Sequence, residues 1–361
     1  MKIAHVVDSM DVGGAETIVA QMCRLQRDQG HAPRIYAVAS LGALGEQMLQ
    51  EGFSVQTRLG RSLPDGMRNF FRAFKETQPD VVHIHNPTPT IYAAMPARMA
   101  GVPSIVSTRH SLVGKPRRLV VEIKYALAAS CCDWIVGICE ATVNNLKDIH
   151  SIPVRKIVRV YNGATAIRRV AKERQPQKNG FTLIYVGRLE HVKNHALLLN
   201  AFCAAHSSMP DLRLWMVGDG SERKRLETLA AELGISAQVT FWGQQLDVAP
   251  FFSAADAFIM SSISEGLPMS LLQAFSLGLP AIVTDVGGMA EVVRLSKAGL
   301  TVPLTDSAEM AAAILRLARG DAEREQLSKS AEEAFHSRFT LQTMVDAYSD
   351  LYRNTRRAAN G

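Results

Sequence analysis

The sequence predicts an α/β protein built from two doubly wound, mostly parallel sheets in tandem. Three observations carry this. Apolar runs of strand length alternate with longer segments of helical periodicity, as in sheets whose crossovers are helices. The alternation stops over residues 164–180, where "ATAIRRVAKERQPQKNG" is basic, polar and poor in large apolar residues, and then restarts. The chain has 361 residues, more than one core of ordinary size holds.

The elements follow in order. "KIAHVVD" is a buried-strand run, and "ETIVAQMCRLQRDQG" has apolar residues at helical spacing and stops on Gly30. Then come "RIYAVA" (strand), "GALGEQMLQEGF" (helix), "FSVQTRL" (strand), "MRNFFRAFKETQP" (helix, ended by Pro79) and "DVVHIHN" (strand). "TIYAAMPARMAG", "PSIVSTRHS", "RRLVVEIKYALAASCC", "DWIVGIC" and "EATVNNLKDI" continue the alternation from helix to helix. After the break, strands "FTLIYVG", "LRLWMVGDG", "QVTFWG", "AFIMSS" and "PAIVTD" alternate with helices "NHALLLNAFCAAHSS", "ERKRLETLAAELG", "VAPFFSAA" and "PMSLLQAFSLG". "AEMAAAILRLARG" and the last 40 residues read as helical. The expected domains are 1–165 and 181–340, joined by a linker over 166–180. In such folds ligands bind beyond the C-terminal ends of strands, so two facing domains are expected to enclose a central cleft.

Composition narrows the class. With 47% hydrophobic and 20% charged residues the chain is that of a soluble globular protein. No apolar run approaches the roughly 20 residues that span a bilayer, and "MKIAHVVDSMDVGG" enters a strand with no signal-peptide pattern. Five cysteines, an odd number without paired metal spacing, are expected to be reduced thiols in a cytoplasmic protein. The net charge of +6 is uneven: residues 1–174 hold 23 Lys/Arg against 14 Asp/Glu (+9), and residues 175–361 hold 17 against 20 (−3). The basic half suits an anionic partner or a solvated face, but it lacks the interleaved aromatics of a nucleic-acid surface.

Several residues stand at expected strand ends. Gly13 and Gly14, with Glu16 close behind, open the first helix, where free amides favour a phosphate. This is not a G-x-G-x-x-G fingerprint, and the second strand lacks the acid that holds an adenine ribose, so a nicotinamide cofactor is not expected. His110 follows the strand "PSIVST"; His83 and His85 are weaker candidates that serve equally well to fix the turn before Pro87. Arg188 and Lys193 in "YVGRLEHVKNH" offer a fork and a point charge to a diphosphate, and Gly218 and Asp219 end another strand. In "SEGLPMSLLQAF", Glu265 offers a carboxylate to hydroxyls, Met269 and Ser270 offer helix N-terminal amides to an anion, and Gln273 faces the same side. Those are the needs of a sugar nucleotide.

The order and spacing of "GGAE", "DVVHIHNP", "STRHS", "CDWIVGICEATVNNL", "VYNGA", "YVGRLEHVKNHALLL", "VGDGSER", "VTFWGQ", "SSISEGLPMSLLQAFSLGLPAIVTDVGGMAEVV" and "FTLQTMVDAYSDLY" resemble family 4 (group 1) glycosyltransferases of GT-B architecture. The resemblance runs nearly end to end. It implies retaining transfer of a sugar from a nucleotide-diphosphate sugar to a glycan or lipid-linked acceptor. It implies that Arg188 and Lys193 bind the diphosphate over Gly13 and Gly14, that Glu265 holds donor hydroxyls, and that His110 is the histidine near the reacting centre. It also implies that the final helix, about 341–361, returns to the first domain. The family motif has a second acid eight residues after Glu265, which grips the ribose; here Gln273 stands in its place, able to bond hydroxyls but without charge. No D-x-D motif is present, so neither metal nor cofactor is expected. Residues 115–127, with Lys115, Arg117, Arg118 and Lys124 among Leu119, Val120, Val121, Ile123, Tyr125 and Leu127, read as a basic amphipathic helix suited to an anionic membrane. A sugar-nucleotide epimerase and a non-catalytic nucleotide-sugar binder are the alternatives, the latter suggested by Gln273.

Overall fold

The structure, a computed structural model, describes residues 1–57, 62–112, 119–149 and 152–360. It divides into two compact units, Met1–Gly163 with Leu341–Gly361, and Ala164–Thr340.

Among its described residues the first unit holds seven strands: β1 (Lys2–Val7), β2 (Ala32–Ala37), β3 (Ser54–Thr57), β4 (Val81–His85), β5 (Ser104–Arg109), β6 (Trp134–Gly137) and β7 (Ile157–Arg159). Helices α1 (Gly14–Asp28), α2 (Gly42–Gln50), α3 (Leu63–Thr77), α4 (Pro87–Ala100), α5 (Leu119–Ala129) and α6 (Glu140–Lys147) connect them. The sheet order is β3-β2-β1-β4-β5-β6-β7, and every pair is parallel. The central strands β4 and β5 are buried along their whole length, because helices cover both faces. Winding reverses between β1 and β4, which makes their C-terminal ends the expected ligand side.

The second unit repeats the plan with β8 (Thr182–Val186), β9 (Arg213–Val217), β10 (Val239–Gly243), β11 (Ala257–Met260), β12 (Ala281–Thr284) and β13 (Gly299–Val302), in the order β10-β9-β8-β11-β12-β13. Its helices are α7 (His195–Ser208), α8 (Arg223–Glu232), α9 (Ala249–Ala254), α10 (Met269–Ser276), α11 (Gly287–Ser296), α12 (Ser307–Arg319) and α13 (Asp321–Ala334). The reversal here lies between β8 and β11.

The structure adds elements that periodicity did not reveal. β7 has three residues and β13 four, and both are edge strands. α11 begins on Gly287 and Gly288 and is not among the expected helices. α3 stops at Thr77, two residues before Pro79, because Gln78 takes the left-handed conformation (φ 45°). The segment expected as a linker lies along the second unit. Ile167 N–H donates to Ser276 Oγ (3.0 Å) and Val170 N–H to Ser253 Oγ (3.1 Å), while Arg169 donates to the carbonyls of Ser253 (3.3 Å) and Leu277 (3.1 Å). In a segment poor in large apolar residues, backbone amides have found hydroxyl partners and a guanidinium has found carbonyls in place of a core.

The last helix, α14 (Leu341–Asn360), belongs to the first unit. Met344, Val345, Tyr348 and Tyr352 form its buried stripe at helical spacing. Tyr348 OH lies 3.1 Å from Thr108 Oγ1, and Tyr352 OH lies 2.7 Å from Nδ1 of His83. Replacing Tyr352 by Phe keeps the packing and strips a fully buried imidazole nitrogen of its partner. Urea denaturation of Tyr352→Phe is expected to show a loss of about 1–3 kcal/mol with unchanged m-value.

Candidate functional site

In the second unit the site begins where β8 and β11 lie side by side. The loop after β8 carries Arg188 and Lys193, and the loop after β11 carries Glu265. The two loops are stitched together. Ile263 N–H donates to the Val192 carbonyl (2.8 Å), and the Ser261 hydroxyl lies against the carbonyls of Lys193 (2.9 Å) and Asn194 (3.0 Å). This brings Lys193 Nζ into an ion pair with Glu265 Oε1, each side chain 15% exposed. The Ser262 hydroxyl donates to the same carboxylate oxygen at 3.1 Å. Arg188 is exposed, and its guanidinium makes no hydrogen bond or ion pair among the described residues. Its carbonyl accepts from Tyr185 OH (2.9 Å). Burial, then the Glu265 charge, push the Tyr185 hydroxyl well above its ordinary value against the opposing Arg188, so both charges act on this one ring. Burial and the Lys193 charge push His195 down to about 3, so it is neutral beneath the pair.

Gly218 and Gly220 lie under the Arg188 loop. Gly218 has φ 137°, and a Cβ there would collide with the Gly187 carbonyl. Asp219 does not present a free carboxylate: it accepts from Gly220 N–H (2.8 Å) and from Arg223 (2.9 Å). Its contribution is to hold the loop. Met269 and Ser270 open α10, whose N-cap Pro268 supplies no side-chain acceptor, so the helix start stays uncapped by protein. Gln273 is half-buried on the same helix, with no partner for its side-chain amide among the described residues.

The first unit assembles a different group. Gly13 is the N-cap of α1, and the carboxylate of Glu16 folds back against it, in the space a Cβ would need. Gly14 has open space around it. Asp8, just past β1, was not singled out in the sequence. Burial, then the charge of Glu16, raise its carboxyl to about 6, opposed by a hydrogen bond from Thr88. An acid directly after a buried strand was the available signal.

His110 is not a lone histidine. Its Nε2 lies 3.0 Å from Nδ1 of His85, whose Nε2 lies 3.1 Å from Nδ1 of His5, whose Nε2 lies 2.8 Å from Oε1 of Gln26. His83 stacks beside this row, with its ring nitrogens 2.7 Å from Tyr352 OH and 2.8 Å from Thr108 Oγ1. His83 and His85 are thus core residues and not turn residues. Nitrogens of His5, His83 and His85 lie within 4.8 Å of one another, a spacing a metal ion would accept, but each is already engaged in a hydrogen bond. The turn carrying His110 is fixed from two sides. Its N–H donates to Oδ1 of Asn86 (3.2 Å), a residue held at φ 75° between β4 and α4. The preceding Arg109 forms a buried two-point ion pair with Glu122 of α5, both contacts 2.9 Å. Sequence reasoning missed Arg109 and Glu122 because their pairing depends on how α5 packs.

Two family models match this chain: glycosyl transferases group 1 over residues 167–334 and glycosyltransferase family 4 over 12–166. EpsF of Bacillus subtilis, which carries a glycosyltransferase description, is 30% identical over 339 residues, 85% of this chain and 86% of that protein. The chain belongs to the family 4 glycosyltransferases. The lipopolysaccharide core biosynthesis glycosyltransferase LpsD of Rhizobium meliloti is 35% identical, over 49% of this chain and about half (51%) of its own length. The Escherichia coli UDP-Gal:α-D-GlcNAc-diphosphoundecaprenol α-1,3-galactosyltransferase is 27% identical over 79% of this chain and 78% of that protein. Among solved structures, HepE from Anabaena in complex with UDP superposes with a TM-score of 0.86 over 98% of this chain and 100% of that one, at 17% identity. At that identity the likeness shows the fold, which is GT-B.

The histidine row gives a pH signature. Burial lowers His5 and His110 to about 4 and holds His83 and His85 well below their ordinary value. Each binds its proton more readily when unfolded, at about 6.5, than when folded. Their stabilising effect is therefore full above about pH 6.5 and is lost as pH falls toward and below 4, by up to about 1.4 kcal/mol per pH unit for each histidine. Urea midpoints measured from pH 8 to pH 4 are expected to be flat above 7 and to fall steeply below 6, with the fall reduced in His5→Phe.

Proposed function

We propose that the protein is a retaining glycosyltransferase that moves a sugar from a nucleotide-diphosphate sugar to a glycan or lipid-linked acceptor, in the synthesis of cell-surface polysaccharide, lipopolysaccharide or glycolipid. The observation that carries this reading is the half-buried Lys193–Glu265 pair beside Arg188, which has no partner among the described residues, at the β8/β11 reversal. A sugar diphosphate replaces that pair with two better matches. Lys193 turns to a phosphate oxygen, and Glu265 turns to sugar hydroxyls. Arg188 and the open amides of α10 add positive potential at the departing diphosphate, enough to make a metal unnecessary. Gln273 bonds the ribose hydroxyls without charge, which lowers nucleotide affinity relative to an acid at that position.

Transfer takes place on one face of the sugar. The bond from C1 to the phosphate oxygen breaks as the acceptor oxygen bonds to C1 from the same side. The acceptor proton goes to the departing phosphate, and no covalent adduct with the protein forms. The HepE complex with UDP and the diphosphoundecaprenol-linked acceptor named for the Escherichia coli relative support the donor and acceptor classes. With a matching donor and acceptor, NMR of the product is expected to show retained anomeric configuration, and EDTA is expected to leave the rate unchanged. Lys193→Ala and Glu265→Gln are each expected to lower kcat/KM about 100-fold or more. An inverted product, or a rate abolished by the chelator, overturns the corresponding part.

The protein reaches a lipid-linked acceptor through α5, where Val120, Ile123 and Leu127 are 65%, 53% and 68% exposed. They sit at i, i+3 and i+7, one helical face, with Lys124 beside them and Met95 and Met99 exposed on the adjoining α4. The exposed face is more apolar than basic. Lys115, Arg117 and Arg118 lie outside the described residues. No helix among the described residues is long and apolar enough to cross a membrane, which leaves surface docking. Flotation with anionic liposomes is expected to carry the wild type and to fail for Val120→Ser/Ile123→Ser/Leu127→Ser. A wild type that stays at the bottom of the gradient ends the docking idea.

A further inference from the structure

The buried row Gln26–His5–His85–His110 has a direction. Gln26 presents its oxygen to Nε2 of His5, so that nitrogen carries the proton and Nδ1 of His5 is an acceptor. His85 must then donate from Nε2 and accept at Nδ1, and His110 must donate from Nε2. No other arrangement of neutral rings satisfies all three contacts while Gln26 keeps that orientation. The consequence falls on the last ring. Nδ1 of His110 is left as a bare lone pair, buried and without a partner among the described residues, at the turn after β5 where substrates of such sheets bind. An orphaned buried acceptor is costly unless something donates to it.

We propose that Gln26, His5 and His85 are positioning residues that hold His110 as the neutral Nε2–H tautomer, so that its Nδ1 accepts a hydrogen bond from a substrate hydroxyl. This rests on the glycosyltransferase reading for the identity of that hydroxyl, but the tautomer itself does not. Turning the Gln26 amide over would reverse every proton in the row and make His110 Nδ1 a donor. The proton position on a site residue just after β5 is thus set on α1, through two rings on β1 and β4. The row has no charge to carry. Burial is the main cause that keeps the rings neutral: His5 and His110 are lowered to about 4, and burial together with the neighbouring histidines holds His83 and His85 well below their ordinary value. The facing groups from other elements are His83, Thr108, Tyr348 and Tyr352, all engaged with one another.

The test is ¹⁵N–¹H correlation of the histidine rings in the full-length protein, without substrate, with His110 assigned by comparison with His110→Phe. In wild type, His110 is expected as a single Nε2–H tautomer from pH 6 to 9. Gln26→Met, close in size, and His5→Phe are expected to give a mixture of tautomers at His110. With melting temperature used to confirm folding, both variants are expected to lower kcat at least 10-fold and to change the donor KM less than twofold. A wild-type His110 protonated at Nδ1, or an unchanged His110 signal in folded Gln26→Met, overturns the proposal. The expected tautomers in a protein that transfers no sugar support the row and overturn the glycosyltransferase reading.

Discussion

Lys193 and Glu265 are 72 residues apart in the chain and form one ion pair in space. The second unit is organised around making that meeting possible. An ion pair at 15% exposure gives up much of its hydration, and it survives only where geometry and added hydrogen bonds compensate. Here the compensation comes from the backbone bond between Ile263 and Val192, the Ser261 hydroxyl on the Lys193 loop, and the Ser262 hydroxyl on the carboxylate. All three depend on β8 lying next to β11, which no local sequence pattern requires. The neutral His195 and the raised Tyr185 beneath keep competing charge out of the pair's surroundings.

The first unit applies the same topology to a different chemistry. Strand register sets His5 opposite His83, and the two-residue repeat of a strand sets His83 and His85 on one face. An apolar face would have packed more simply. Four imidazoles instead form a core that is polar yet neutral, and tyrosines of α14 close it at Thr108 and His83. This explains why the C-terminal helix belongs to the first unit although 177 residues of the second unit, 164–340, intervene. It also makes the helix a supplier of hydrogen bonds as well as apolar cover. Arg109 and Asn86 then hold the turn at the end of the row from opposite sides, one by a buried ion pair and the other by a backbone conformation that favours glycine.

Much of this was legible in the residues. The alternation of strand and helix, its interruption over residues 164–180, and the strand-end places of Arg188, Lys193, Glu265 and His110 all follow from local periodicity and punctuation. Misreadings came where local signals are weakest or depend on distant partners. Short edge strands such as β7 and β13 lack a full apolar run. A polar segment such as 166–180 reads as a tether when its partners are backbone groups and hydroxyls of another element. Asp219 stands at a strand end as expected of a substrate-binding residue, but a helix-borne arginine four residues later occupies its carboxylate.

The sequence by itself determined which chemical groups stand at the ends of which strands. It did so because secondary structure is governed by interactions a few residues long, and those are written in spacing. Only the tertiary structure decided which of those groups meet. The Lys193–Glu265 pair, the Arg109–Glu122 pair and the histidine row each join residues from separate strands or helices, through sheet order, register and helix packing. Those are properties of the assembled core, where burial turns a hydrogen bond or an ion pair from an option into a requirement.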